Sequence, residues 1–134
     1  MRAMDVRTHA KIDRSLCGSP RAIGVDRAEV ELHCDERMRA DEEGLVHGGF
    51  VFGCADYAAM LAVNAPTVVL ADASAKFTAP VVVGDHIVAS AHVKASDGKR
   101  REVHVEVKRE RDGVVVMTAT FACAIPSRHV LAPR

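Results

Sequence analysis

Residues 44–64 read GLVHGGFVFGCADYAAMLAVN, and the fold turns on this stretch. Its opening, Gly44-Leu45-Val46-His47-Gly48-Gly49, is a turn feeding a helix. Paired glycines let backbone N–H groups approach a ligand closely. A helix from about Gly48 to Asn64 begins with N–H groups that lack intrahelical partners, and that end carries partial positive charge. Such an end seats an oxyanion or a polarised carbonyl. From Phe50 to Val63 nearly every side chain is apolar or small, so the helix must be wrapped by protein. Asp56, in the middle, breaks the rule. A carboxylate there is costly unless it is paired, hydrated or put to use. Taken alone, Asp56 reads as a structural aspartate bonded to a strand, and Tyr57 as packing. The His-Gly-Gly start shifts the reading toward a site, because an electrophile-binding backbone and a carboxylate then share one element.

Upstream of the helix, Asp35 to Glu43 is dense in charge without periodicity and reads as loop. Before it, Ala28, Val30, Leu32 and Cys34 alternate with Glu29, Glu31 and His33. Period two with one polar face predicts a half-buried antiparallel strand from Ile23 to Cys34, kinked at Asp26-Arg27. A short helix is predicted within Thr8 to Leu16, stopped by Cys17-Gly18-Ser19-Pro20. Downstream, Asn64-Ala65-Pro66 ends the central helix. Strands are expected at Thr67–Thr78, His86–Lys94, Arg101–Arg109 and Val114–Ile125. Hairpin signals at Ser96-Asp97-Gly98-Lys99 and at Asp112-Gly113 join the later ones. The continuous apolar character of the last strand predicts that both its faces are covered. The tail Ser127–Arg134 is expected to be loosely ordered. One strand, a long helix and four more strands make an α+β chain: a curved antiparallel sheet of five or six strands around one helix.

The 134 residues predict a single domain over 1–134, with residues 1–19 as an N-terminal segment. Lys plus Arg and Asp plus Glu both number 18, so nothing points to nucleic acid or an anionic membrane as partner. Zero net charge also favours an oligomer that covers apolar surface. The four cysteines form no C-x-x-C, and with seven scattered histidines no zinc-type spacing arises, so no metal is expected. Cys34, Cys54 and Cys123 read as buried thiols. A nucleophilic Cys54 ranks well below that reading, since no histidine is placed to activate it. The N-terminus, MRAMDVRTHAKIDRS, has no apolar run of the signal-peptide kind. Leu45–Val63 approaches the length of a membrane span, but it holds His47, three glycines and Asp56. An aspartate at mid-membrane costs about 2.5–3.5 kcal/mol. A cytoplasmic protein is the expectation.

His47-Gly48-Gly49, with Asp56 nine residues after the histidine, resembles the hotdog-fold acyl-CoA thioesterases of the phenylacetic-acid-degradation type. Lys76-Phe77-Thr78-Ala79-Pro80 followed by Val83-Gly84-Asp85 resembles the same family, and the likeness runs from about Ile23 to Ile125. The resemblance implies the hotdog fold. It also implies hydrolysis of acyl-CoA with no cofactor beyond the coenzyme A of the substrate. Its dimers pair two sheets edge to edge, build two sites across the interface and often pair again into tetramers.

Helix geometry leads to the same assembly. Gly48 and Asp56 are eight residues apart, about 12 Å of rise. One carbonyl cannot lie within hydrogen-bond reach of both on one helix, so a shared site needs two chains with antiparallel helices. The expected roles are Gly48 N–H on the carbonyl oxygen and Asp56 as general base or nucleophile. His47 is expected mainly to position the loop at the catalytic site, with a substrate contact as well, and Gly49 beside it is expected to bind substrate. Phe50, Phe52 and Tyr57 would shape the acyl pocket. Two positions bear on the resemblance. Where relatives often carry asparagine, this chain has Asp41, whose ionised carboxylate accepts but does not donate. A water-orienting hydroxyl falls on Ser74. Lys99 and Arg100 are candidates for the phosphates of coenzyme A. The rival readings are an acyl-thioester hydratase or dehydratase using His47 with Asp56, and a non-catalytic acyl-CoA binder.

Overall fold

The computed structural model describes residues 5–133, so residues 1–4 of the predicted N-terminal segment and residue 134 of the tail lie outside the described residues. The elements are α1 (Arg14–Cys17), β1 (Ser19–Gly24), β2 (Arg27–His33), α2 (Gly48–Val63), β3 (Val69–Phe77), β4 (His86–Asp97), β5 (Arg100–Arg109) and β6 (Val115–Ala124). Six strands form one antiparallel sheet in the order β1-β2-β4-β5-β6-β3. This is the hotdog arrangement expected from the sequence.

Six strands spaced about 4.8 Å apart make a sheet wider than a helix of about 10–12 Å diameter. The single helix α2 nevertheless touches all six strands, which requires the sheet to curl around it. Bulges at Pro20/Ala22, Leu70/Asp72, Val93/Ala95 and Val107/Lys108 supply local bends. The concave side holds the core, where Val30, Leu32, Ile87, Ala89, Val103, Val107, Met117 and Phe121 are at most 2% exposed.

Three expectations change. The kinked strand is two strands. Val25 and Asp26 form a tight turn, with Asp26 left-handed (φ 58), and Ile23 pairs with Ala28 across it. Aspartate tolerates that backbone region, which is why a two-residue turn fits inside an alternating run. The N-terminal helix is a single turn, Arg14–Cys17, capped by Asp13, whose carboxylate accepts from the Ser15 N–H at 2.9 Å. Gly18 (φ 107) closes it, and a Cβ there would lie 2.5 Å from Val30 Cγ1, so the chain turns directly into β1. Finally, β6 is covered unevenly: Met117, Phe121 and Cys123 on the concave row are buried, while the convex row runs from buried Val116 through part-open Thr118 and Ala122 to exposed Thr120.

The sheet ends on two different edges. β1 is six residues long and carries Pro20, a residue that blunts an edge. β3 is nine residues long, lacks proline and is largely exposed. Its inward row is Ala73, Ala75 and Phe77, opposite the buried Phe121, Ala119 and Met117. Phe77 is 54% exposed although it faces the helix side. Among the described residues, no helix is long and apolar enough to cross a membrane.

Candidate active site

The start of α2 is held from three directions. The His47 N–H donates to the Met38 carbonyl at 2.9 Å, and Met38 is fully buried at the end of a 3-10 turn, Glu36–Met38. The Val46 N–H donates to the Val81 carbonyl at 2.8 Å, and the Val83 N–H to the Gly44 carbonyl at 2.9 Å. The Gly84-Asp85 turn supports that clamp. Asp85 is 5% exposed; its carboxylate accepts from the Val82 N–H at 3.0 Å and from Arg111 Nε at 2.7 Å. The Gly-Asp pair of the sequence is therefore a brace for the His-Gly-Gly loop. Asp41 belongs to the same brace, since its carboxylate accepts from the Leu45 N–H at 3.1 Å.

His47 is the N-cap, in extended backbone (φ −61, ψ 131), and makes no side-chain capping bond. Among the described residues, the N–H groups of Gly48 and Gly49 have no acceptor. Aromatic rings flank both glycines. A Cβ on Gly48 would meet the Phe77 ring at 3.4 Å, and one on Gly49 would meet the His47 ring at 3.1 Å. His47 also stands edge-on to Phe50, with centroids 6.2 Å apart. The helix start thus presents two bare donors between rings, a geometry suited to a carbonyl or oxyanion. Phe77 was visible in the sequence only as part of a motif. Its place beside Gly48 comes from the antiparallel return of β3.

Over the first turns of α2, Gly49, Phe52, Gly53 and Asp56 form one stripe at helical spacing. All are at least partly open to solvent. A Cβ on Gly53 would meet nothing within 4 Å. Phe52 packs edge-on against the buried Phe121, with centroids 5.4 Å apart. One Asp56 carboxylate oxygen, Oδ1, is buried without a hydrogen-bond partner. Burial pushes the Asp56 carboxyl above the usual aspartate range. Among the described residues no cation offsets that shift.

The other expected site residues lie elsewhere. Tyr57 is 1% exposed, so it belongs to the core and not to an open wall, and its hydroxyl is also unpartnered. Ser74 is opposite Thr120, on the convex face and away from α2. Lys99 and Arg100 sit at the β4–β5 hairpin, where Arg100 is level with Ala124 and Val69. Phe77, beside Gly48, is eight residues along β3 from Val69, about 26 Å at strand rise. The two cations are therefore at the far end of the sheet from the α2 start of their own chain. Within one chain the structure brings together His47, Gly48, Gly49, Phe50 and Phe77, and separately Phe52 and Asp56. Cys34, Cys54 and Cys123 are buried, as expected. Burial pushes the Cys34 thiol up to about 12, and the Cys54 thiol up also, which removes Cys54 as a nucleophile.

The profile of the Thioesterase superfamily matches residues 43–116, more than half of the 134. The chain is similar to the uncharacterized protein PH1136 from Pyrococcus horikoshii, at 50% identity and a TM-score of 0.94, covering 98% of this chain and 100% of that one. It is similar in fold to the E. coli PaaI protein of the phenylacetic acid degradation operon, at 19% identity and a TM-score of 0.78, over 87% and 84% of the two chains. A methylthioribose-1-phosphate isomerase of Aquifex aeolicus is 51% identical over 111 residues, 83% of this chain. The chain spans only 24% of the length of that curated relative. The matched segment contains the His-Gly-Gly start, Asp56 and the Gly-Asp brace on one continuous run, and on that ground this chain belongs to the thioesterase superfamily.

Proposed function

We propose that the protein hydrolyses acyl-CoA thioesters to the free acid and coenzyme A, as a homodimer whose two sites each draw on both chains. One observation carries the reading. Asp56 keeps a buried, unpartnered carboxylate oxygen on a face of α2 that the rest of the chain leaves part open. A purely structural aspartate at that depth would be hydrogen-bonded. Gly48 and its bare N–H are about 12 Å away along the same helix. A two-fold partner with its helix antiparallel supplies the missing half in each direction. The exposed inward row of β3, ending in Phe77, is the apolar edge that such pairing covers.

In this reading the thioester carbonyl accepts from the Gly48 N–H, and Asp56 of the partner subunit faces the carbonyl carbon. Asp56 either removes a proton from water as water attacks, or attacks the carbon itself. The electron pair of the C=O bond moves onto oxygen, held by the donors at the helix start. On collapse the C–S bond breaks and coenzyme A leaves as thiolate; in the first case it takes the proton that Asp56 removed from water, and in the second water then hydrolyses the mixed anhydride left on Asp56, releasing the free acid and supplying that proton. Pairing also turns the Lys99–Arg100 hairpin of each chain toward the α2 start of the other, where coenzyme A phosphates would lie. A hydratase would need His47 aimed at the carbons beside the thioester, whereas its ring lies over Gly49.

Thiol release across short, long and aromatic acyl-CoAs tests the proposal. Asp56→Ala and Asp56→Asn are expected to lower the rate by about 10²–10⁴, with the dimer retained in sedimentation. Full activity in either variant would falsify the assignment. A change in enoyl absorbance without thiol release points to the hydratase, and binding without turnover to a non-catalytic binder.

A further inference from the structure

On the convex face of the sheet, away from α2, His33 at the end of β2 directly opposes His86 at the start of β4. His33 Nδ1 lies 3.1 Å from His86 Nε2, the ring centroids are 4.5 Å apart and the planes are tilted by 43°. Both residues are exposed and line a groove of about 430 Å³ that also carries Arg14, Glu31 and Asp35. The thioester chemistry uses none of these groups.

We propose that His33 and His86 form a two-histidine site for a divalent transition metal that favours imidazole, such as Zn²⁺ or Ni²⁺. The bite supports it. Metal–imidazole bonds of about 2.0–2.1 Å that span 3.1 Å meet at about 98°. That lies between the cis angle of an octahedron, roughly 90°, and the tetrahedral angle, about 109°. Opposed positions on neighbouring strands tie both side chains to a hydrogen-bonded ladder, so little ordering remains to be done on binding.

In the metal-free pair one ring nitrogen donates to the other. A metal ion bound at about 2.0–2.1 Å to both nitrogens lies off the line between them, so the proton leaves that position and each ring turns to aim its lone pair at the ion. The donating ring moves its proton to its remote nitrogen, and both facing lone pairs then bind the metal. Glu31, two residues from His33 on the same strand face, and Asp35 add negative charge to the groove. Arg14 opposes them, and the Asp35 carboxylate is bonded to Arg37, with Nη2 at 2.8 Å. Among the described residues no third His, Cys, Asp or Glu converges with the pair, so water completes the coordination. The ion is consequently exchangeable.

The test is calorimetric titration of the untagged, chelator-treated protein with ZnCl₂ and, separately, NiCl₂, followed by thermal melts with and without metal. One ion per chain is expected, with a melting temperature that rises with metal concentration because only the folded state holds the paired rings. His33→Ala and His86→Ala are each expected to abolish saturable binding and the thermal shift. Both sites are exposed, and circular dichroism checks that the variants are folded. His92→Ala serves as the control and is expected to bind as the parent does, because His92 opposes His104 across β4 and β5 but the His104 Nε2 is bonded to the Glu102 carboxylate at 2.7 Å instead of facing the His92 ring. Absence of saturable binding in the parent, or binding that survives in either the His33 or the His86 variant, overturns the proposal.

Discussion

The two sides of α2 have different residues and different surroundings. Toward the sheet, Val51, Cys54, Ala55, Ala58, Leu61 and Ala62 are at most 3% exposed. The polar contact on this side is the Cys54 thiol facing the Val30 carbonyl at 3.9 Å. On the other side, Gly49, Phe52, Gly53 and Asp56 stay part open, with space beside Gly53 and one unpartnered carboxylate oxygen. The first side is finished within one chain and holds the fold together. The second is unfinished, and it is the side on which the proposed chemistry rests. Stability and function therefore separate on a single helix, and substitutions should sort by face.

After the Asp56 variants, the largest effect expected among substitutions that leave the fold alone is that of Gly48→Pro. Gly48 is the first helical residue, where proline is tolerated, and His47 already has the extended backbone that a following proline demands. The change removes a backbone donor. Thiol release should fall by about 10²–10³, with a melting temperature close to that of the parent. Parental turnover would remove the helix start from the site.

Leu61→Ala strikes the finished side. Leu61 is fully buried, so the cavity should cost about 2–5 kcal/mol in denaturant unfolding. Thiol release per folded molecule should be unchanged. Loss of turnover at full folding would break the separation of faces.

A smaller effect concerns pH. Burial raises the Asp56 carboxyl, so the folded chain keeps this proton to higher pH than the unfolded chain does. The contribution is fully present below the unfolded value, near 3.9, and is lost as pH rises through the folded value. Asp56→Asn should accordingly melt higher than the parent at neutral pH, and the gap should close in acid. Melting curves in buffers from acid to neutral pH decide it; a gap that widens on acidification contradicts the assignment.

Gly53→Ala has the smallest expected effect. A Cβ meets nothing there within one chain, so helix propensity alone should stabilise the fold by about 0.5–1 kcal/mol. If a partner helix packs against Gly53, the same methyl weakens the dimer. Sedimentation at several concentrations, beside unfolding curves, tells these apart.

Much of this was legible in residue order. The span expected for the helix, Gly48 to Asn64, differs from the observed Gly48–Val63 by one residue, because paired glycines at its start and Asn64-Ala65-Pro66 at its end act locally. Strands β4 and β5 followed from alternation. The turn at Val25-Asp26 was missed because the alternation of side chains ran on to either side of it. Ser74 and Tyr57 were expected at the site and Phe77 was seen only within a motif, since the true place of each depends on which strand lies opposite and at what register. Ser74 turned to the convex face, Tyr57 to the core and Phe77 to the helix start.

The amino-acid order by itself determined one wholly apolar helix with a single acid, a donor-rich start and a set of alternating strands, all consequences of periodicity and backbone chemistry over a few residues. Only the tertiary structure decided which side of that helix the sheet covers, that β3 returns to the edge beside Gly48, and that His33 meets His86. Those are outcomes of long-range pairing and closure, in which residues distant in the chain compete for the same space. No local pattern encodes the winner.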